Sequence, residues 1–308
     1  MRASVTRVGD FLMDIFNSGS SARAIRSFRT AIGAIHLGFS NGTTVSNSPS
    51  LQALLKGMFN VRPPERSLVP SWDLPTALRL LSEQPYEPLE NATLENLTKK
   101  TAFLVAVASG RRVSDIHALS LAPNHSDISK TRARLLPRSG YLAKNQTPDF
   151  TPAPIILPGL RTAANSPDDG PWCPVRALLY YTHRTKGIRG EEDRLFITTT
   201  KPHKGAAKQT IARWLVDIIK ASLAAEDSHM GGRINAHSIR SQASAWASYK
   251  GASLSDIIEA MGWSSTTTFQ TTYLRDVLAR PGATAARVLS SATRPTPTSS
   301  STGFTASR

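Results

Sequence analysis

The stretch "NVRPPERSLVPSWDLP", residues 60 to 75, restricts the fold of this chain more than any other. Its four prolines, Pro63, Pro64, Pro70 and Pro75, remove main-chain donors and fix φ, so a helix cannot run through it. This suggests a linker between domains. At 308 residues the chain also exceeds the usual size of one compact domain, so two domains are expected.

Ahead of the prolines, apolar residues recur at helical spacing in three runs. Val8, Phe11, Leu12, Ile15 and Phe16 form one face, Ile25, Phe28, Ile32 and Ile35 a second, and Leu51, Leu54, Leu55, Met58 and Phe59 a third. This predicts a small all-helical domain over residues 1–60 and a linker over 61–75. The second run also carries Arg23, Arg26 and Arg29, spaced three apart in a slowly drifting stripe. Such a stripe suits a row of phosphates, or simply a solvated face.

Beyond the linker the pattern is mixed. "LTKKTAFLVAVASG" reads as a buried helix closed by Gly110, and "RRVSDIHALSL" as a short helix with Val113, Ile116 and Leu119 inward. "TRARLLPRSGYLAKNQTPDFTPAPIILPGL" alternates loosely between Gly and Pro breaks, as small antiparallel strands do. Helices resume with "CPVRALLYYTHRT", "KQTIARWLVDIIKASLAA", "AHSIRSQASAWASYKG" and "SLSDIIEAMGW", where Ser253 and Asp256 form a capping pair. The fold class is therefore mainly α with a small antiparallel β-sheet. That domain spans residues 76–286, and a Ser/Thr/Pro tail over 287–308 is too poor in apolar residues to fold alone.

Charge narrows the class of partner. Lys and Arg number 37 against 22 Asp and Glu, a net +15, which points to a polyanion and to nucleic acid first. The single cysteine, Cys173, cannot form an internal disulfide or a cysteine cluster for zinc, and the seven histidines include no HExxH, so no metal or other cofactor is expected. No apolar run approaches the length of a membrane span, and the amino end, with Asp10 and Asp14 in its apolar stretch, does not resemble a signal peptide. A soluble intracellular protein is expected.

Several residues could do chemistry on a phosphodiester. His237 and Arg240 stand three apart and leave a helix on one face. Arg111 and Arg112 follow Gly110 at a helix–helix turn, where the default reading pairs one arginine with Asp115. Lys144 lies on a hairpin edge or turn. Tyr273, in "TTFQTTYLRDVL", stands four residues after Phe269, as a core aromatic would. None is telling alone. Together they supply what attack on a phosphodiester requires when side chains do the work: cations, a proton donor and a nucleophile.

In this order, Gly110-Arg111-Arg112-Val113-Ser114-Asp115, Lys144, His237-x-x-Arg240, Gly262-Trp263 and Tyr273, the residues resemble the catalytic signature of tyrosine recombinases, the phage-integrase family. Longer stretches, among them "KTAFLVAVASGRRVSDIHALSL" and "LFITTTKPHKGAAKQTIARWL", most resemble the recombinases of DIRS-type retroelements, and the likeness covers most of residues 75 to 280. The resemblance implies a tyrosine-recombinase catalytic fold preceded by a small all-helical DNA-binding domain. That helical unit is short for a complete clamp, as a fragment or a misjudged gene start would leave it.

The same resemblance implies roles for individual positions. Arg112 and Arg240 would hold the non-bridging oxygens of the scissile phosphate, with Arg111 the alternate to Arg112. Lys144 would protonate the leaving 5′ oxygen, and His237 would accept the tyrosine proton or hold the phosphate. Tyr273 would attack phosphorus to give a 3′-phosphotyrosine, without metal or ATP. Trp263 stands where many members have histidine; its indole N–H can donate but cannot titrate. Arg23, Arg26, Arg29, Arg111 and Lys204 are the expected further contacts to double-stranded DNA, and a homotetramer on paired sites is the expected assembly, nuclear if the host is eukaryotic. The alternatives are a DNA-binding protein of this fold without recombinase activity and a type IB topoisomerase.

Overall fold

The computed structural model describes residues 2–63, 72–144, 153–160, 170–225, 234–263 and 266. Tyr273, Phe269 and the tail over 287–308 lie outside the described residues. Contacts divide the chain into two units, Met1–Ser67 and Leu68–Arg308.

The first unit contains α1 (Val5–Asn17), α2 (Ala22–Ile35) and α3 (Pro49–Val61). Ser4 and Ser21 cap α1 and α2 by accepting from the main-chain N–H groups of Arg7 and Ala24, and Pro49 starts α3 where its missing N–H costs nothing. Val8, Leu12, Phe16, Ile25, Leu51, Leu55 and Met58 meet in one apolar core with Phe39 and Val45 from the α2–α3 connection. The second expected face is only partly used. Ile25 is buried, whereas Phe28 and Ile35 are 42% and 62% exposed. The loop residues Phe39 and Val45 help fill this core, and helical spacing gives no sign of them.

The second unit is built around α5 (Leu94–Ser109). Thr93 caps its start and Gly110, at φ +55°, ends it in the left-handed region that glycine adopts without strain. Around α5 stand α4 (Leu74–Leu81), α6 (Val113–His117), α7 (Pro174–Thr185), α8 (Lys208–Ala225), α9 (His237–Tyr249) and α10 (Leu254–Met261). Leu97, Ala102, Phe103, Leu104 and Val105 of α5 pack with Val175, Leu178 and Tyr181 of α7 and Ile211, Leu215, Ile218 and Ile219 of α8. From Thr101 to Ala106 every residue of α5 is buried, so this part of the helix is interior.

The sheet is small, antiparallel and ordered β1 (Ser126–Ile128), β2 (Arg132–Leu135), β3 (Ile155–Pro158). Leu135 pairs with Ser126 on one side and Ile155 on the other. Ala133, Leu135, Ile155 and Leu157 are buried while Arg132 and Ile156 face outward, the period-2 pattern of a sheet covered on one face. The mainly helical fold with a small antiparallel sheet is as expected, although β1 carries too little periodicity to be read beforehand and α4 starts inside the stretch read as a linker. Residues 136–154, which connect β2 to β3, carry Lys144. No helix among the described residues is long and apolar enough to cross a membrane.

One polar cluster crosses this core. Lys100, on α5, is fully buried; its Nζ donates to the main-chain oxygen of Leu81 at 2.7 Å and to the Glu87 carboxylate. Arg176 of α7 grips the same carboxylate through both oxygens, at 2.7 and 3.1 Å. Burial alone would raise the Glu87 pKa, but the hydrogen bonds from Arg176 and Lys100 outweigh it and hold the group below 4.5. The contribution of the Glu87 carboxylate is therefore complete above pH 4.5 and is lost as pH falls through the lower value of the folded state. Glu87→Ala strands the buried ammonium and should lower the unfolding free energy by about 3 to 5 kcal/mol in urea titrations at neutral pH. The deficit relative to the wild type should shrink in acid.

Candidate active site

The site begins where α5 ends. Because Gly110 turns the chain in the left-handed region, Arg111 and Arg112 emerge between two helices, and Arg112 becomes the N-cap residue of α6. Its main-chain N–H donates to Asp115 Oδ2 at 3.0 Å, so the carboxylate folds back on the helix start. The other carboxylate oxygen accepts from the Tyr141 hydroxyl at 2.5 Å. The expected pairing of Asp115 with an arginine side chain is thus replaced, in these two hydrogen bonds, by a main-chain and a phenolic donor.

Helix α9 brings the second arginine. Its first turn is tied to Trp72, whose indole N–H donates to Ser238 Oγ at 2.8 Å and whose carbonyl accepts from Gln242 Nε2 at 3.0 Å. Arg240, one turn in, is 2% exposed, and its Nη1 donates to the main-chain oxygen of Gly110 at 2.7 Å. That oxygen lies at the negative end of α5, where a cation is favoured. The Arg240 guanidinium also lies 4.7 Å from the centre of the Trp263 ring, a cation–π distance.

Trp263 is delivered by the end of α10. Gly262 adopts φ +61°, and the Trp263 N–H donates back to Ile258 O at 3.0 Å. Two close approaches lock this end against the α5–α6 turn. A Cβ on Gly110 would overlap the sulfur of Met261, and one on Gly262 would overlap the guanidinium of Arg111. Arg111 is half-buried there, and burial lowers its pKa from the ordinary arginine value. It packs as part of the wall, while Arg112 stands at the head of α6.

His237 opens α9 three residues before Arg240, and its pKa is lowered from 6.5. Desolvation is the largest cause, followed by the positive charges of Arg240, Arg112 and Lys144. The residue retains solvent exposure, so the three cations are the part of the shift that substitution can test. The direction leaves the imidazole neutral at pH 7, with a nitrogen lone pair to accept a proton.

The described structure thus brings Arg111, Arg112, Lys144, His237, Arg240 and Trp263 into one neighbourhood of the second unit. Lys204 lies in the 198–206 loop, exposed and held through its N–H by Pro202 O and Thr198 Oγ1. Arg23, Arg26 and Arg29 belong to the first unit, where Arg26 lies over the Phe59 ring at 5.8 Å. Tyr273 lies outside the described residues. Tyr141, absent from the sequence-based candidates, carries no motif or periodicity that would single it out. Among the described residues, no group of three or more His, Cys, Asp or Glu side chains is placed to hold a metal ion.

No family model matches the sequence, and no curated protein matches it either. Solved structures do match in fold. The Tn1549 transposon integrase in complex with a circular intermediate DNA superposes with a TM-score of 0.57 at 12% identity, over 94% of this chain and 85% of that one. The XerH site-specific recombinase bound to palindromic difH substrate gives 0.56 at 12% identity, over 94% and 72%. A lambda integrase dimer bound to a COC′ core site gives 0.50 at 15%, over 90% and 66%. At such identities the likeness is one of fold, and the fold is that of the tyrosine-recombinase catalytic domain.

Lys144→Ala should raise the titration midpoint of His237 toward 6.5, because it removes one of the three cations that disfavour the imidazolium. NMR titration of the imidazole in the DNA-free protein measures this. A midpoint unchanged by the substitution would mean that Lys144 stands too far from His237 to share a site with it.

Proposed function

We propose that the protein cuts and rejoins double-stranded DNA through a covalent 3′-phosphotyrosine at Tyr273, as a tyrosine recombinase serving a mobile element of the DIRS type. The observation that carries this reading is that Arg240, hydrogen-bonded to Gly110 O, and Arg112, two residues beyond that glycine, meet at one turn, with His237 on the same helix as Arg240. The fold is shared with DNA-bound integrases and recombinases.

The chemistry follows from the duties these side chains would have. A phosphodiester resists attack because its anionic oxygens repel nucleophiles and its leaving alkoxide is strongly basic. Arg112 and Arg240 would take the two non-bridging oxygens, for which planar guanidinium forks are suited, and the Trp263 indole N–H would add a neutral donor. Tyr273 Oη would bond to phosphorus as the P–O5′ bond breaks. The phenolic proton passes to neutral His237, and the leaving 5′ oxygen takes a proton from Lys144 Nζ. Rejoining runs the same steps backward with a 5′ hydroxyl as nucleophile. The phosphotyrosine conserves the phosphodiester energy, so this route requires neither metal nor ATP.

Burying Arg240 against Gly110 O before DNA arrives serves the same end. A guanidinium already fixed and desolvated needs little reorganisation when charge develops on phosphorus. The net charge of +15 supplies attraction to the duplex backbone, with Arg23, Arg26, Arg29, Arg111 and Lys204 as the proposed further contacts. The helical first unit would clamp the duplex, four copies would assemble on paired sites, and a eukaryotic host would require the protein in its nucleus.

Tyr273→Phe should abolish the covalent adduct on nicked suicide duplexes while leaving DNA affinity and melting temperature nearly unchanged. Denaturing gels and a binding titration at fixed salt measure the two halves. Adduct that persists in the variant would sink the assignment of the nucleophile, and relaxation of supercoiled plasmid without recombinant product would move the reading to a topoisomerase.

A further inference from the structure

Lys144 sits in the long connection between β2 and β3, and its side chain is exposed. A general acid must stand within hydrogen-bond reach of the atom it protonates, which a lysine on an untethered connection does not do for much of the time. The structure contains a tether. The Arg138 N–H donates to Ala118 O at 2.8 Å, pinning the segment to the C-terminal end of α6. Tyr141 then turns back, its N–H donating to Arg138 O at 3.2 Å, and its hydroxyl donates to Asp115 Oδ1 at 2.5 Å.

Asp115 is the carboxylate whose other oxygen accepts from the main chain of Arg112. A single side chain therefore joins the head of α6, where Arg112 is presented, to a point three residues before Lys144. Three residues of extended chain span at most about 10 Å, so the anchor limits how far the lysine can move from the head of α6. The hydroxyl is well suited to a permanent donor. Burial first, and then its hydrogen bond to Asp115, push the Tyr141 pKa up to about 12. The phenol thus stays protonated at every pH at which such a protein would work, and a neutral O–H donating to a carboxylate is among the stronger hydrogen bonds.

We propose that Tyr141 is a positioning residue for the general acid: through its hydrogen bond to Asp115 it holds Lys144 in register with Arg112, and so over the leaving 5′ oxygen of the phosphate that Arg112 grips. This rests on the role given to Lys144 above. Tyr141 touches neither DNA nor the reacting atoms in this arrangement; it acts through the backbone of residues 141–144.

The test uses the full chain and two nicked duplexes that differ in one atom. In the first, the scissile phosphate has its ordinary 5′ bridging oxygen; in the second, sulfur replaces that oxygen. With oxygen, the P–O bond breaks as the alkoxide takes a proton from Lys144. With sulfur, the P–S bond breaks to a thiolate that is stable unprotonated, the thiol pKa being about 8.5, so no acid is needed. Lys144→Ala should slow adduct formation on the oxygen duplex by roughly 100-fold or more and react near the wild-type rate on sulfur. Tyr141→Phe keeps the ring and its packing. It should slow the oxygen duplex by roughly 10- to 100-fold, be restored by sulfur, and add nothing further when combined with Lys144→Ala. In the DNA-free protein it should also raise the His237 midpoint, in the same direction as Lys144→Ala.

Tyr141→Phe equally slow on both duplexes would overturn the proposal, since the tyrosine would then act on the phosphate grip or the fold. So would wild-type rates on both duplexes, or a loss of melting temperature that accounts for the defect. If sulfur fails to restore Lys144→Ala, the general-acid role of Lys144 fails, and with it the function proposed for Tyr141. If Lys144→Ala is restored and Tyr141→Phe is not, only the link between them fails.

Discussion

The hydrogen bond from Arg240 Nη1 to the main-chain oxygen of Gly110 is the contact on which the site depends. It joins residues far apart in the chain inside the protein, and it sets a nearly buried guanidinium against the negative end of a helix. A carbonyl dipole stabilises the guanidinium without cancelling its charge. The Gly110 turn that offers this oxygen also sends Arg111 and Arg112 out of α5, so one main-chain conformation helps set the places of both Arg112 and Arg240.

Three further contacts hold that turn. Met261 packs against Gly110, the Arg111 guanidinium packs against Gly262, and the Trp263 ring lies on Arg240. Each pairs a residue of the α5–α6 turn or of α9 with one at the end of α10, so α10 serves as a clasp across the arginine pair. A larger residue at either glycine would displace the neighbouring side chain, and its backbone would be strained at positive φ. Burial first, and then the positive charges of Arg240, Arg112 and Lys144, disfavour the charged form of His237.

How much of this was legible in the sequence varies with the physical signal. Helices α5, α7, α8, α9 and α10 follow from apolar spacing and caps, and Gly110 reads as a helix end because few other residues adopt φ +55° at low cost. Strand β1 has three residues, too few for a periodic pattern to rise above the background, and α4 starts at Leu74 and Pro75, inside the stretch read as a linker. Phe28 and Ile35 extend an apolar face that reaches solvent, while Phe39 and Val45, outside any helix, fill the core instead. The candidates Arg112, His237 and Arg240 were readable as a set because their order and spacing resemble a family signature. Tyr141 was not, since the role proposed for it lies in a hydrogen bond to a residue 26 positions away.

The sequence by itself determined the mainly helical class with a small sheet, the basic charge and the spacing of the candidate arginines and histidine. These are properties of composition and local spacing, which a chain carries whether or not it is folded. Only the tertiary structure decided that Arg240 is buried on a helix end, that Arg111 packs into the wall, and that Asp115 links Tyr141 to the backbone of Arg112 instead of pairing with an arginine side chain. The reason is physical. Burial, hydrogen-bond partners and proton affinity depend on which distant segments come into contact, and no local pattern in the chain encodes them.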